Sequence, residues 1–397
     1  MLSLVRTGAR ARVAARGAAP NVARGKESDA ARSAAPLAAL LIAAALLLAA
    51  CGGGGGAGGA GGTADAVVPS NSALAQIDAR VTQAFASSGV AGMSVRIMDR
   101  NDQVVYNKRF GTFTEDQRIA VASASKLVSA MVVFRLIEQN QLSLDSTTGQ
   151  MLGWTGPKAD ITVRHLLSFT SGLEPEAACT ANPVLTLQEC AATLAGRAAL
   201  ALPATRFDYG GAHLQVLGAM AEKATGKTWN TIFQEQLAVP MALSPQAGYY
   251  TFPRAESGQT NPLVAGGLRL TTAEYMHLLR LAFHKGTTSG RSLISAARFD
   301  QQGVEPYPGV TIGKSPMAEA GLPFRYGLGA WLECATPAAG CSVISSPGAF
   351  GFTPWLDRNT GYYAVIAMES GVADTGLAPA SVRLAQDLKP LIAQALR

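Results

Sequence analysis

Ser123 and Lys126 stand three residues apart at the start of a strongly apolar segment. If a helix begins at Ser123, the lysine one turn later lies on the same face, where its amine can reach the serine hydroxyl. Burial and a helix N-terminus both lower the pKa of a lysine, and a neutral amine can deprotonate a serine for nucleophilic attack. The alternative is a serine cap followed by a surface lysine, but the unbroken apolar run 131–134 favours a buried helix.

Two local patterns precede this pair of residues. Apolar side chains recur at helical spacing and stop at Gly89, which predicts a first helix. The segments MSVRIMD and QVVYNKR then alternate between apolar and polar residues around the turn at residues 100–102, which predicts a β-hairpin.

The last third of the chain returns to strand patterns in YGLGAWLEC, CSVIS and GYYAVIAM, before an amphipathic C-terminal helix. The patterns from about 120 to 260 are mostly helical. An antiparallel sheet in which early and late strands meet accounts for this order. We therefore predict an α+β fold, an antiparallel β-sheet flanked by N- and C-terminal helices, with an inserted mostly helical domain over about 120–260.

Several segments together resemble one known superfamily. IAVASASKLVSAMVVFRLIEQNQLSLD resembles the nucleophile helix of the serine β-lactamases and penicillin-binding proteins, in their class C and family VIII carboxylesterase branch. Later landmarks of that branch are similar to ITVRHLLSFTSGL, FDYGGAHLQVLGAMAEKATGKTW, AVPMAL, AGGLRLTTAEY and YGLG. These segments cover most of residues 70–397. The resemblance implies a β-lactamase/DD-peptidase-like fold and a serine hydrolase.

The resemblance also implies roles for three side chains. Ser123 is expected to be the acylated nucleophile and Lys126 its activating partner. Tyr209 matches a tyrosine that, in such enzymes, shares the general-base and leaving-group-acid work with the lysine. The alternative for Tyr209 is a packed aromatic side chain beside Phe207.

A third motif of the family lies on a strand and contributes to the oxyanion hole. It falls best on Ser346, Pro347 and Gly348. In that register the backbone N–H of Ala349 joins that of Ser123 in stabilising the oxyanion.

Two positions depart from the family pattern. Gly211 stands where an asparagine usually holds the side-chain amide of a β-lactam, and Ser346 stands where a lysine or histidine usually faces the substrate carboxylate. Without that cation an anionic lactam loses a charge-assisted contact worth roughly 1.5–3 kcal/mol, whereas a neutral ester loses nothing there. We therefore expect a carboxylic-ester hydrolase with a small-molecule ester substrate and weak or absent β-lactamase activity.

Other functions stay open or are excluded. A β-lactamase or a D-Ala-D-Ala carboxypeptidase or D-amino-acid peptidase is one alternative, and a non-catalytic binding or sensor lipoprotein is another. Retention of Ser123, Lys126 and Tyr209 together speaks against the latter. An α/β-hydrolase would need G-x-S-x-G, which this chain lacks. No cofactor or metal is expected, because nucleophile, base and oxyanion donors are all protein groups.

The N-terminal region has the features of an export signal. Residues 37–50 form an apolar run shorter than the roughly twenty residues that span a bilayer as a helix. The run ends at Cys51 in the order Leu-Ala-Ala-Cys, which resembles the bacterial lipobox, where the cysteine thiol receives diacylglycerol. An ordinary secretory signal with a chance cysteine is the alternative.

The segment after Cys51 is rich in glycine and is expected to behave as a flexible tether. We predict a lipoprotein signal peptide over 1–50, a tether over 51–70 and a serine hydrolase domain over 71–397. The protein is then anchored to the membrane by lipid at Cys51, on the periplasmic side. Gly52 in place of an acidic residue favours the outer membrane of a Gram-negative bacterium.

The four remaining cysteines are an even number, which in an exported chain favours two disulfides. They are Cys179, Cys190, Cys334 and Cys341. Three pairings are possible, and the turn-like composition between near neighbours favours 179–190 and 334–341. A zinc site is the rival, but none of the histidines stands in a ligand pattern with these cysteines.

The net charge of +6 is concentrated at the N-terminus, because the first 40 residues hold seven basic and two acidic residues. The rest of the chain is nearly neutral and shows no basic stripe interleaved with aromatic residues. A nucleic-acid partner is therefore not expected.

Overall fold

The computed structural model describes residues 71–251, 260–369 and 376–397. All of them belong to one unit of the chain, Asp65–Arg397. The predicted signal peptide, the tether and Cys51 lie outside the described residues. No helix in the described part is long and apolar enough to cross a membrane.

Fourteen strands occur in the described residues. They are β1 (Gly92–Asp99), β2 (Val104–Gly111), β3 (Ile119–Ala120), β4 (Arg206–Asp208), β5 (Gly248–Tyr249), β6 (Leu268–Leu270), β7 (Thr287–Thr288), β8 (Arg291–Ser292), β9 (Thr311–Lys314), β10 (Arg325–Tyr326), β11 (Trp331–Leu332), β12 (Val343–Ser345), β13 (Thr353–Asp357) and β14 (Tyr362–Glu369). Seven of them form the main sheet, in the order β10-β11-β12-β13-β14-β1-β2.

The main sheet joins the two ends of the unit. β1 pairs antiparallel with β14 along its whole length, with Gly92 opposite Glu369 and Asp99 opposite Tyr362. The predicted meeting of early and late strands is confirmed. β13 was not predicted, and it contains a proline, which is unusual in a central strand. Pro354 is accommodated there, and its carbonyl accepts a hydrogen bond from the N–H of Ser346 at 3.2 Å.

Helices cover both faces of the sheet. They are α1 (Asn71–Ser88), α2 (Ser125–Glu138), α3 (Thr148–Leu152), α4 (Val163–Leu167), α5 (Leu187–Gly196), α6 (Ala212–Thr225), α7 (Trp229–Phe233), α8 (Thr272–Phe283), α9 (Ala296–Gln302), α10 (Pro316–Glu319) and α11 (Leu377–Ala395). On one face, Ile77 of α1 and Leu388 of α11 belong to one apolar cluster with Val95 and Ile97 of β1. This arrangement follows from the alternation of side chains along a strand.

The opposite face of the sheet packs against the helical block, and α2 lies deep in that core. Every residue from 124 to 134 is buried. A helix that is surrounded on all sides needs apolar side chains on all faces, which explains the unbroken apolar run read from the sequence. The predicted α+β fold with an inserted helical block is confirmed, and the N-terminal end of α2 is held in place by the core.

Candidate active site

Ser123 lies in a 3-10 turn, Ala122–Ala124, and α2 begins two residues later at Ser125. Ala122 has a φ of 46°, in the left-handed region that costs a residue with a Cβ about 1 kcal/mol. The turn is held by the side chain of Ser125, the first residue of α2, which also bonds to a distant segment. The hydroxyl of Ser125 donates to the carbonyl of Ala122 at 2.6 Å and accepts the N–H of Leu268 at 3.1 Å. The half-buried Ser123 is thus fixed by its surroundings.

Lys126 is only 4% exposed. Its Nζ lies 2.8 Å from the Oγ of Ser123 and donates a hydrogen bond to the carbonyl of Ala265 at 3.0 Å. Burial lowers the pKa of Lys126 to about 7, while the nearby Glu176 carboxylate opposes this shift and Lys314 adds to it. A large fraction of this amine is therefore neutral near neutral pH and able to accept a proton.

Tyr209 lies between β4 and α6, and its position is set by the parallel pairing of β4 with β9. Its N–H donates to the carbonyl of Lys314 at 2.8 Å. Its ring stacks on Trp331 at 5.0 Å between centroids and meets Phe169 edge-on at 5.3 Å. The Nζ of Lys126 is 4.7 Å from the centroid of this ring. The tyrosine therefore stands beside the serine and lysine.

The pKa values of Lys126 and Tyr209 are pushed apart. Burial raises the pKa of Tyr209 to about 12, and a hydrogen bond to the side chain of Ser123 only partly opposes the shift. Near neutral pH the phenol is therefore protonated, while much of the lysine is neutral. A pair of titratable groups separated in this way suits one group as the proton acceptor and the other as the proton donor.

The third motif packs directly against the nucleophile turn. A Cβ added at Gly348 would lie 2.1 Å from the carbonyl oxygen of Val121, so only glycine permits this close approach. The amide of Ala349, the next residue, makes no backbone hydrogen bond within the described ranges. Ala349 is not among the residues that line the cleft, so its part in the oxyanion hole stays a prediction.

Ser346 is 2% exposed, and its hydroxyl donates to the backbone carbonyl of Ser123 at 3.0 Å. Its side chain is not part of the cleft lining. Ser346 directly follows β12, and its hydroxyl supports the nucleophile turn instead of lining the cleft.

An open cleft of about 180 Å³ gives access to the serine and the lysine. It is lined by Ala122, Ser123, Lys126, Glu176, Gly211, Leu263, Ala265, Gly266 and Phe350. Gly211, the first departure from the family pattern, lies in this wall. A Cβ added there would meet the Glu176 carboxylate as its nearest neighbour, at 3.5 Å. A carboxylate thus lies next to the position where the family usually has an amide.

The sequence did not reveal three of these contributors: the carbonyl of Ala265, the carboxylate of Glu176, and the aromatic rings around Tyr209. A backbone carbonyl has no sequence signature. Glu176 stands three residues beyond the Ser-Gly-Leu ending at 171–173, and that proximity was its one available signal. Trp331 lies in the segment that begins with the YGLG landmark. That landmark predicted a strand but did not indicate that Trp331 contacts Tyr209.

The four cysteines of this unit are joined as Cys179–Cys190 and Cys334–Cys341, with Cα atoms 5.2 Å and 5.8 Å apart. Both bonds lie outside the cleft lining. In the described part of the chain no group of His, Cys, Asp or Glu side chains is arranged to hold a metal ion.

The fold and this cluster define the class of protein, a serine hydrolase of β-lactamase fold. The family model named Beta-lactamase matches residues 77–387, and the chain belongs to that family.

The names of two relatives point to different functions. FimD of Dichelobacter nodosus, named for fimbrial assembly, is 31% identical over 130 residues, 30% of this chain and 32% of the relative. Esterase EstB of Burkholderia gladioli is 28% identical over 200 residues, 43% of this chain and 50% of the relative. The chain thus spans 32% and 50% of the lengths of these two relatives.

A solved structure matches far more of the chain. The β-lactamase homologue of Bacteroides dorei is 27% identical, with a TM-score of 0.72 over 81% of this chain and 99% of the homologue. The fold is therefore shared over nearly the whole unit that carries the cleft.

Proposed function

We propose that this protein is a carboxylic-ester hydrolase that forms an acyl-enzyme on Ser123. The observation that carries the proposal is the 2.8 Å contact between the Ser123 hydroxyl and a buried Lys126 amine, whose pKa is lowered to about 7. This pair supplies a nucleophile and a base that is partly neutral at working pH. The esterase name of one relative supports the same reaction.

In the acylation step, Lys126 accepts the proton of Ser123 while the Oγ attacks the ester carbonyl carbon. The amides of Ser123 and Ala349 donate to the oxygen that becomes negative. Tyr209 then donates its proton to the departing alkoxide, which leaves as the alcohol. The proton on Lys126 passes back to Tyr209, and the acyl group stays on the serine.

In the deacylation step, neutral Lys126 accepts a proton from water, and the resulting hydroxide equivalent attacks the acyl carbonyl. The Ser123 oxygen leaves and recovers a proton from Lys126. The net reaction consumes one ester and one water and yields an acid and an alcohol. Every proton in this scheme is carried by Ser123, Lys126, Tyr209 or the attacking water.

The test is to incubate the protein with neutral p-nitrophenyl esters, nitrocefin and a fluorophosphonate, and to follow product and intact mass. We expect ester hydrolysis and a single fluorophosphonate adduct, both lost in Ser123→Ala and kept in Ser87→Ala, a surface serine on α1. Nitrocefin hydrolysis faster than that of the best ester would favour the β-lactamase alternative. A folded wild-type protein that neither hydrolyses esters nor takes the adduct would favour a binding role.

We also propose that the protein is exported and anchored by lipid at Cys51. The lipobox-like sequence before Cys51 supports this proposal. The two cysteine pairs of the described unit are also suited to an oxidising compartment.

A further inference from the structure

Glu176 brings a carboxylate into the wall of the cleft. It lines the same space as Ser123, Lys126 and Gly211, and its side chain is 59% exposed. Its Oε2 lies 3.5 Å from where a Cβ on Gly211 would stand. A substrate bound over Ser123 therefore shares its cleft with this carboxylate.

Lys314 partly balances this charge from outside the cleft. Its Nζ lies 3.6 Å from Oε1 of Glu176, and its side chain is 48% exposed. Lys314 is on β9 and does not line the cleft. An exposed ion pair of this kind is weak and leaves both groups open to solvent and ligand.

Glu176 has a larger electrostatic effect on the reacting groups than Lys314 has. At Lys126 and at Tyr209, Glu176 changes the pKa more strongly than Lys314 does, in the opposite direction. The net effect of this pair on Lys126 and Tyr209 is therefore that of a negative charge. Among the described lining residues only Lys126 and Glu176 are ionisable, and Lys126 must be neutral to act as a base.

We propose that Glu176 determines which substrates the cleft accepts by charge: esters with a neutral or cationic acyl group are favoured, and anionic acyl groups are discriminated against. An ammonium group on the acyl chain would be attracted to the Glu176 carboxylate, and a carboxylate there would be repelled. This inference rests on the proposed ester hydrolysis. It adds a repulsive element to a site that otherwise lacks a cation for anionic ligands.

Three esters with acyl chains of matched length test the proposal: p-nitrophenyl hexanoate, mono-p-nitrophenyl adipate and p-nitrophenyl ω-trimethylammoniopentanoate. They share a leaving group and differ in the terminal group of the acyl chain, which is a methyl, a carboxylate or a trimethylammonium. For a half-exposed carboxylate, replacement by glutamine is expected to change kcat/KM of a charged ester, relative to the neutral one, by about fivefold. The change should shrink in high salt, which screens exposed charges.

In Glu176→Gln the ratio of anionic to neutral kcat/KM should rise about fivefold, and the ratio of cationic to neutral should fall by a similar factor. Lys314→Gln should move both ratios the other way. Glu235→Gln removes the same charge from a surface ion pair with Lys227 and should move neither. The ratios cancel any change in the basicity of Lys126, because all three esters use that lysine alike.

Unchanged ratios in Glu176→Gln, with the neutral ester still hydrolysed, would overturn the charge selection and leave the proposed function standing. Equal shifts in Glu176→Gln and Glu235→Gln would also overturn it, because the effect would then come from total charge. If the wild-type protein hydrolyses none of the three esters and Ser123 takes no fluorophosphonate, the proposed function fails and this inference fails with it.

Discussion

The buried amine of Lys126 makes ester hydrolysis depend on pH in a way that can be worked out from the structure. A lysine ordinarily has a pKa of 10.5, and burial lowers that of Lys126 to about 7. Only the neutral amine can deprotonate Ser123. With a pKa of about 7 the neutral fraction is about a tenth at pH 6 and about nine tenths at pH 8, so kcat/KM should rise about tenfold over that range.

The charged neighbours of Lys126 also determine in which direction the midpoint of the pH profile moves when they are replaced. Glu176 raises the pKa of Lys126 and Lys314 lowers it. Replacing Glu176 by glutamine should therefore move the midpoint of the profile to lower pH, and replacing Lys314 by glutamine should move it to higher pH. The buried His213 does not account for a midpoint near 7, because burial lowers its pKa to about 4.

The assay is kcat/KM for a neutral p-nitrophenyl ester from about pH 5 to about pH 9, with the uncatalysed rate subtracted. Lys126→Arg, which keeps a cation that cannot lose its proton, should be slower by about 100-fold or more at every pH. A midpoint above about pH 9 would refute the effect of burial on the lysine. An active Lys126→Arg variant with an unchanged profile would show that another group takes the proton.

Three further predictions concern the proton donor, the cost of burial and the anchor. Tyr209→Phe should lower kcat about 100-fold for alkyl esters but far less for p-nitrophenyl esters, whose leaving group needs no proton; equal losses on both would contradict the role as proton donor. Lys126→Met should raise the melting temperature at pH 7, because the unfolded lysine binds a proton that the folded one partly lacks. The gain should shrink as the pH rises through 10.5, above which the lysine is mostly neutral in both states, and the absence of any gain at pH 7 would contradict the burial argument. In a Gram-negative host, labelled palmitate should enter the wild-type protein and not Cys51→Ser; equal labelling would contradict the anchor.

The fold could be predicted largely from local patterns, because each main element carries its own periodicity. α1 and the β1–β2 hairpin are recognisable from side-chain spacing over a few residues. Among the strands of the main sheet, β13 is the exception. Its assignment depends on its neighbours β12 and β14, which supply the hydrogen bonds, and not on its own sequence, which contains Pro354.

The residues of the candidate site also fall into two groups: those that local sequence patterns predict and those that only the tertiary structure brings into the cleft. Ser123 and Lys126 are close in sequence, so one helical turn is enough to bring them together. Glu176 and the carbonyl of Ala265 reach the cleft only through the packing of distant loops. Lys314 approaches through the parallel pairing of β9 with β4, and no pattern in the sequence indicates that pairing. Local sequence patterns do not predict contacts between distant segments.

The position of Ser346 changes the physical explanation of why anionic lactams should be poor substrates. From the sequence we explained their expected poor hydrolysis by a missing cation at Ser346, but that side chain is 2% exposed and bonded to the carbonyl of Ser123. A lysine at that position would have to give up this contact and leave the interior before it could reach a ligand. We therefore expect Ser346→Lys to lower kcat/KM for esters and lactams together, measured as nitrocefin and p-nitrophenyl ester hydrolysis in the same variant. Glu176→Gln, which leaves the support of Ser123 intact, should change the preference between them instead, and a selective gain on nitrocefin in Ser346→Lys would return the explanation to the missing cation.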